Sequence, residues 1–160
     1  MSRYMILFFG IFVSLLCGCS EHRAAKEIAQ LAGYIIIENN LLYIDEVEIV
    51  TDADTERIAD LGLERGDMPN GYYFYNAEES LQSYTLTDET GYTFVDFNLL
   101  FIAEEEADGT RLYETTKKDE FMTHLLASYN DSPPAQKVPF FVQVQGETVV
   151  HVTEEFQYTI

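Results

Sequence analysis

Tyr34-Ile35-Ile36-Ile37-Glu38-Asn39-Asn40-Leu41-Leu42-Tyr43-Ile44-Asp45-Glu46-Val47-Glu48-Ile49-Val50 decides the fold class. Two runs rich in β-branched and aromatic residues flank Asn39-Asn40, a pair that tolerates positive φ, and this arrangement predicts an antiparallel hairpin. In the second run, Leu41 to Val50, the acids Glu46 and Glu48 alternate with Val47 and Ile49, the period of a strand with one face buried. A second hairpin closes the chain. Val138 to Gln145 leads to a turn at Gly146-Glu147 and then to Thr148 to Tyr158, with Phe140, Val142 and Val144 expected inward on one strand and Val150 and Val152 on the other.

Further strands are expected at Tyr72 to Tyr75, weakly at Ser83 to Leu86, and from Tyr92 through Ile102. The last of these reverses at the acidic turn Glu104 to Gly109 into Arg111 to Thr115. Thr51-Asp52-Ala53-Asp54 has the capping spacing that opens a helix, with Ile58 and Leu61 on its inner face and Gly62 as its stop. Thr116-Lys117-Lys118-Asp119 repeats the pattern before Met122, Leu125, Leu126 and Tyr129, which predicts a second helix broken by Asp131-Ser132-Pro133-Pro134. The chain therefore reads as mainly β with helices. A helix ahead of the last two strands resembles the OB-fold arrangement, a small antiparallel barrel, here with helical insertions; the alternative is an α+β open antiparallel sheet.

At the N-terminus, Arg3 precedes an apolar run from Tyr4 to Leu16 that ends in Leu16-Cys17-Gly18-Cys19. These residues resemble the signal peptide and lipobox of bacterial lipoprotein precursors. The resemblance implies a leader over residues 1–18, lipid attachment at Cys19, and a location on the extracytoplasmic face of the cell membrane. A retained membrane helix is disfavoured, because crossing the hydrocarbon takes about 20 apolar residues, and Ser20, Glu21, His22 and Arg23 end the run. Residues 19–32 are expected to form a short membrane-proximal helix, with Ala25, Ile28, Ala29 and Ala32 at helical spacing and Gly33 as its end. Residues 33–160 then make one β-rich domain. The phrases Asp45-Glu46-Val47-Glu48, Asp54-Thr55-Glu56-Arg57-Ile58, Asp67-Met68-Pro69-Asn70-Gly71-Tyr72-Tyr73 and Pro139 to Val152 are similar to uncharacterised extracytoplasmic proteins of Gram-positive bacteria. That similarity implies a coherent domain and brings no activity.

Charge restricts the partners. With 9 basic and 28 acidic residues the chain carries a formal charge of −19, which opposes nucleic acid, whose affinity rests on cations that displace counterions. Anionic headgroups are repelled too, so contact with the bilayer is expected through the acylated Cys19 alone. Loss of Cys17 with the leader and modification of Cys19 remove thiol chemistry, disulfides and cysteine metal sites from the domain.

Candidate chemistry is sparse. Asp52, Asp54 and Glu56 suggest a calcium loop, but Arg57 stands where glycine is needed and Leu63 where an acid is needed, so helix capping accounts for them. Glu104-Glu105-Glu106 with Asp108 reads as a solvated turn. His22, His124 and His151 have no ligand spacing, and His151 is expected to face solvent. No Gly-x-Ser-x-Gly motif and no phosphate-cradling glycine loop occur. Neither cofactor nor metal is implied.

The aromatic strand offers a surface instead. If Tyr72 and Phe74 pack inward, Tyr73 and Tyr75 join Phe141 as an outward platform for a peptide or sugar ring. The expected function is a non-catalytic binding domain for an envelope protein or peptide. The alternatives are a carboxylate-dependent hydrolase of cell-wall polymer, or a calcium-dependent adhesion module.

Overall fold

The computed structural model describes residues 27–77, 80–129 and 139–154. The expected leader, Cys19 and most of the interval expected to be a stalk lie outside them. Nine strands and two helices follow in order: β1 Ile28–Glu38, β2 Leu41–Glu46, β3 Glu48–Thr51, α1 Thr55–Leu61, β4 Tyr72–Tyr75, β5 Leu81–Thr85, β6 Gly91–Val95, β7 Leu112–Thr115, α2 Lys118–Tyr129, β8 Phe140–Gln145 and β9 Thr148–Glu154. A seven-stranded mixed sheet runs β5-β2-β1-β8-β9-β6-β7, and β3 pairs with β4 in a second, two-stranded sheet. The fold is thus β-rich α+β.

The opening hairpin forms as its sequence requires. Asn39 takes φ 55° in the turn, and the register brings Glu38 opposite Leu41 and Ile35 opposite Ile44. β1 starts earlier than expected, however. Ile28 to Gly33 are strand, not helix, because they pair with Gln145 to Phe140 of β8 and supply that strand's second row of backbone partners. The first half of β1 therefore belongs to β8 and the second half to β2, and Gly33 is the residue shared by both pairings. A Cβ there would collide with the Asp45 carbonyl and the Ile44 side chain, so only glycine permits the two ladders to meet.

Three other expectations are corrected. The run Leu41 to Val50 breaks at Val47, where the chain leaves the large sheet for the small one; Val47 is buried and its N–H donates to the Ala32 carbonyl at 2.9 Å. The strand expected from Tyr92 to Ile102 stops at Val95, because the buried Asp96 carboxylate accepts the backbone N–H groups of Leu100, Phe101 and Ile102 and wraps that segment into a loop. In the last hairpin the register slips between Gln143 and Val144, so Val144 faces Val149 while Gln143 faces His151. Val150 is left as the bulge residue. Val149 and Val152, rather than Val150 and Val152, enter the core.

Both expected helices form, but α1 begins at Thr55, preceded by Asp54 without a side-chain capping bond, rather than directly after Thr51, and Ile58 and Leu61, expected inward, are half-buried. α1 ends at Gly62 in the left-handed region, φ 65°, and the N–H groups of Gly62 and Leu63 return to Ala59 and Ile58. Before α2, Thr115 and Glu120 provide the capping contacts: the Thr115 hydroxyl donates to Glu120 at 2.7 Å and accepts the Lys117 N–H at 3.1 Å. The inner face of α2 is Phe121, His124, Leu125 and Tyr129, and Leu126, expected inward, is exposed. Phe121 sets this rotation. Its ring stacks on Tyr92 at 4.7 Å and meets Phe140 edge-on at 6.0 Å, a placement worth more than burying Leu126.

The core joins Ile35, Leu42, Ile44, Tyr92, Phe94, Phe121, Phe140, Val142 and Val152 into one cluster. Within it the Tyr92 hydroxyl is buried and has no hydrogen-bond partner among the described residues, and burial pushes its pKa up to about 12. Removing an unpaired buried hydroxyl relieves a desolvation cost, so Tyr92→Phe is expected to raise stability by about 1 kcal/mol in urea unfolding. Gly33→Ala is expected to lower it by about 2 kcal/mol, since overpacking against a backbone carbonyl has no flexible atom to yield.

Candidate functional site

Tyr73 and Tyr75 lie on β4, paired with Val50 and Glu48 of β3. Val50 is buried, and all four residues of β4 are half-buried. Arg57 of α1 reaches over this face. Its guanidinium sits 5.0 Å from the Tyr75 ring and forms two-pronged hydrogen bonds to Glu48, the shortest at 2.7 Å. The Tyr75 end of the expected platform is therefore partly occupied by the protein itself. Phe141 belongs to β8, across from Ala32 in the large sheet, so the structure puts it in a different sheet from the two tyrosines. On the Tyr73 side, an open depression of about 380 Å³ is bordered by Tyr34, Pro69, Tyr72 and Tyr73.

A larger depression, about 860 Å³, lies between the β1–β2 turn and the start of α2, with Asn40, Asp88, Lys117 and Lys118 on its walls. Both lysines are engaged. Lys118 donates to the Asn39 carbonyl at 2.9 Å and to the Asn40 side chain at 2.7 Å, and Lys117 pairs with Glu120. The one local basic pair thus closes turns rather than offering charge to an anion.

Of the acids near α1, Asp54 is committed to its own turn. Asp54 accepts the N–H and hydroxyl of Thr51, both at 2.8 Å, and these bonds hold its carboxyl below the usual carboxylate range. Among the described residues no group of three or more His, Cys, Asp or Glu side chains converges to hold a metal ion.

The most distinctive polar arrangement went undetected in the sequence. Glu154, at the end of β9, is buried, and one carboxylate oxygen accepts the Val95 N–H at 3.0 Å and faces His124 Nε2 at 3.1 Å. The other accepts the Tyr129 hydroxyl. Burial pushes the Glu154 carboxyl up, but the hydrogen bond and attraction of His124, the Tyr129 hydroxyl and the Val95 N–H outweigh it, and its pKa falls below the ordinary glutamate value. The Tyr129 hydroxyl is driven the other way by burial and by Glu154.

Because a carboxylate only accepts, His124 Nε2 carries the proton toward Glu154. Nδ1 then faces the Ser128 hydroxyl at 3.3 Å, one helical turn on. The His124 ring stacks on Phe94 at 4.1 Å. The order hydroxyl, imidazole, carboxylate is that of an activated serine, yet Ser128 is exposed on α2 while the imidazole beneath it is packed into the core. Its first consequence is structural. The network ties α2 to β6 and β9 through groups that cannot be left unpaired.

His151, expected in solvent, is half-buried. Its Nε2 pairs with the Thr93 hydroxyl at 2.8 Å, and its ring lies so close over Gly91 that a Cβ there would collide with it.

Comparison of the chain with family models, with curated proteins and with solved structures finds no match.

The buried carboxylate gives a signed pH dependence. Since folding lowers the Glu154 pKa, its stabilisation is complete above the unfolded value of about 4.3 and is lost as pH falls through the folded one. Glu154→Gln is expected to cost about 3 kcal/mol at pH 7 and to flatten the acid limb of stability against pH, measured by urea unfolding between pH 7 and 3.

Proposed function

We propose that this chain is a lipoprotein held at the extracytoplasmic face of the cell membrane through acylated Cys19, and that its domain binds an envelope protein or peptide without catalysing a reaction. The anchor rests on one observation, the sequence Arg3, apolar Tyr4 to Leu16, then Leu16-Cys17-Gly18-Cys19. Among the described residues no helix is long and apolar enough to cross a membrane, which is compatible with attachment by lipid.

The domain reading adds a finer description of the fold, a small OB-like barrel. Its support is the pairing circuit. β5 pairs with β2, β2 with β1, β1 with β8, β8 with β9, and β9 returns to β5 in parallel at Thr85 and Thr148. β1 serves two neighbours by bending at Gly33, and α2 precedes the last two strands, as in a five-stranded barrel closed by a helix. Such barrels offer a curved face to ligands. With a charge of −19 the preferred partners are cationic or neutral.

Two measurements test the proposal. Cells fed a palmitate analogue are expected to label the natural chain and not Cys19→Ala; equal labelling of both would overturn the anchor. The full chain in detergent micelles is expected to retain a specific component from cell-envelope extract, and retention of non-specific material alone would remove the binding role.

A further inference from the structure

We propose that the outer edge of β7, unpaired among the described residues, with Phe97, Leu100 and Leu112 beside it, takes up an extended cationic polypeptide as an added strand of the large sheet. The proposal deepens the binding reading above and rests on it. Among the described residues β7 is the last strand of that sheet and pairs with β6 alone. Asp96 N–H donates to the Arg111 carbonyl at 2.9 Å, and alternation along an antiparallel ladder then turns the N–H and C=O of Leu112 and Glu114 away from β6. The Leu112 N–H meets the Thr110 hydroxyl at 3.4 Å, and the Leu112 carbonyl and both Glu114 groups face the open side.

Beside this edge the chain exposes large apolar side chains: Phe97 at 61%, Leu100 at 52% and Leu112 at 42% of their full surface. They are not carried on a loose loop. Three backbone N–H groups are held by Asp96, the Arg111 guanidinium donates to the Phe97 carbonyl at 3.0 Å, and Phe101 stacks on Tyr113 at 5.2 Å. Two non-glycine residues here, Leu99 and Arg111, are kept at φ 50°, a conformation that costs energy and persists only where surrounding bonds enforce it. The backbone is therefore fixed in a shape that turns Phe101 inward and leaves Phe97 and Leu100 out. An apolar patch held in place beside an edge strand is the arrangement that strand addition uses.

Charge selects the occupant. Glu104, Glu105, Glu106 and Asp108 are exposed in the stretch that joins the patch to β7, and Glu114 in β7 itself, against the two exposed cations Arg111 and Lys117, of which Lys117 pairs with Glu120. A second copy would bring the same acids face to face. An extended segment alternating basic and apolar residues meets both the acidic rim and the apolar trio, while its backbone pairs with the Leu112 carbonyl and with the N–H and C=O of Glu114.

The test is fluorescence anisotropy on the full chain in detergent micelles, with a labelled peptide of alternating lysine and valine and its glutamate–valine counterpart. Binding of the lysine peptide alone is expected. Glu114→Pro removes an outward N–H while leaving the bonds to β6, and should weaken binding at least tenfold, whereas Glu114→Gln should weaken it by less than threefold. The surface double variant Phe97→Ser with Leu112→Ser should also lose tenfold, and circular dichroism melts check that each variant folds. Absence of peptide binding, or equal binding by all variants, overturns the β7 site. Envelope retention in the micelle experiment would then still stand, so the two readings fail separately. A concentration-dependent dimer abolished by Glu114→Pro would assign the edge to a second copy and overturn the cationic partner.

Discussion

Glu154 is the point at which the separate parts of this fold are fastened. Its carboxylate, at the end of the last described strand, takes the Val95 N–H that the β6–β7 ladder turns toward the β9 side, and it also receives His124 and Tyr129 of α2. A buried negative charge is tolerable only with such company, because each partner removed would leave a desolvated group unpaired. The helix is therefore positioned by polar bonds at one end and by Phe121 against Tyr92 and Phe140 at the other. Hydrophobic burial supplies the larger energy and the carboxylate supplies the direction.

That division explains what could be read from the chain. The hairpins were legible because alternation and turn chemistry are local: Asn39-Asn40 and Gly146-Glu147 sit between runs whose periods name their inward faces. Where a single residue redirects the backbone through its side chain or its lack of one, pattern fails. Asp96 stops a strand that Tyr92 to Ile102 would otherwise continue, and nothing in its neighbours announces that it folds back on three amides. Val150 has the composition of a core residue and is displaced only because the ladder slips beside it. Ile28 to Ala32 carry a helical spacing, yet the unsatisfied side of β8 draws them into the sheet.

The same limit applies to the site. Tyr73, Tyr75 and Phe141 were selected by alternation within their own strands, which carries no information about which sheet each strand joins. Their separation follows from the break at Val47, a feature of tertiary packing. His124 and Glu154 are far apart in sequence and each is unremarkable there. One local clue existed, the four-residue spacing of His124 and Ser128 on a helix. The exposed group around Phe97 hides in sequence for the opposite reason, since an apolar run is ordinarily taken to be interior.

The start of β1 has a mechanical consequence. Ile28 pairs with Gln145, next to the Gly146-Glu147 turn, so the polypeptide enters the domain at that corner. Nine residues from Cys19 to Ile28, even drawn out fully, reach roughly 30 Å. Under the lipid attachment proposed above, that length bounds how far the entry corner stands from the bilayer. The domain would then meet only what the bilayer brings close, and encounter would be governed by lateral diffusion in two dimensions.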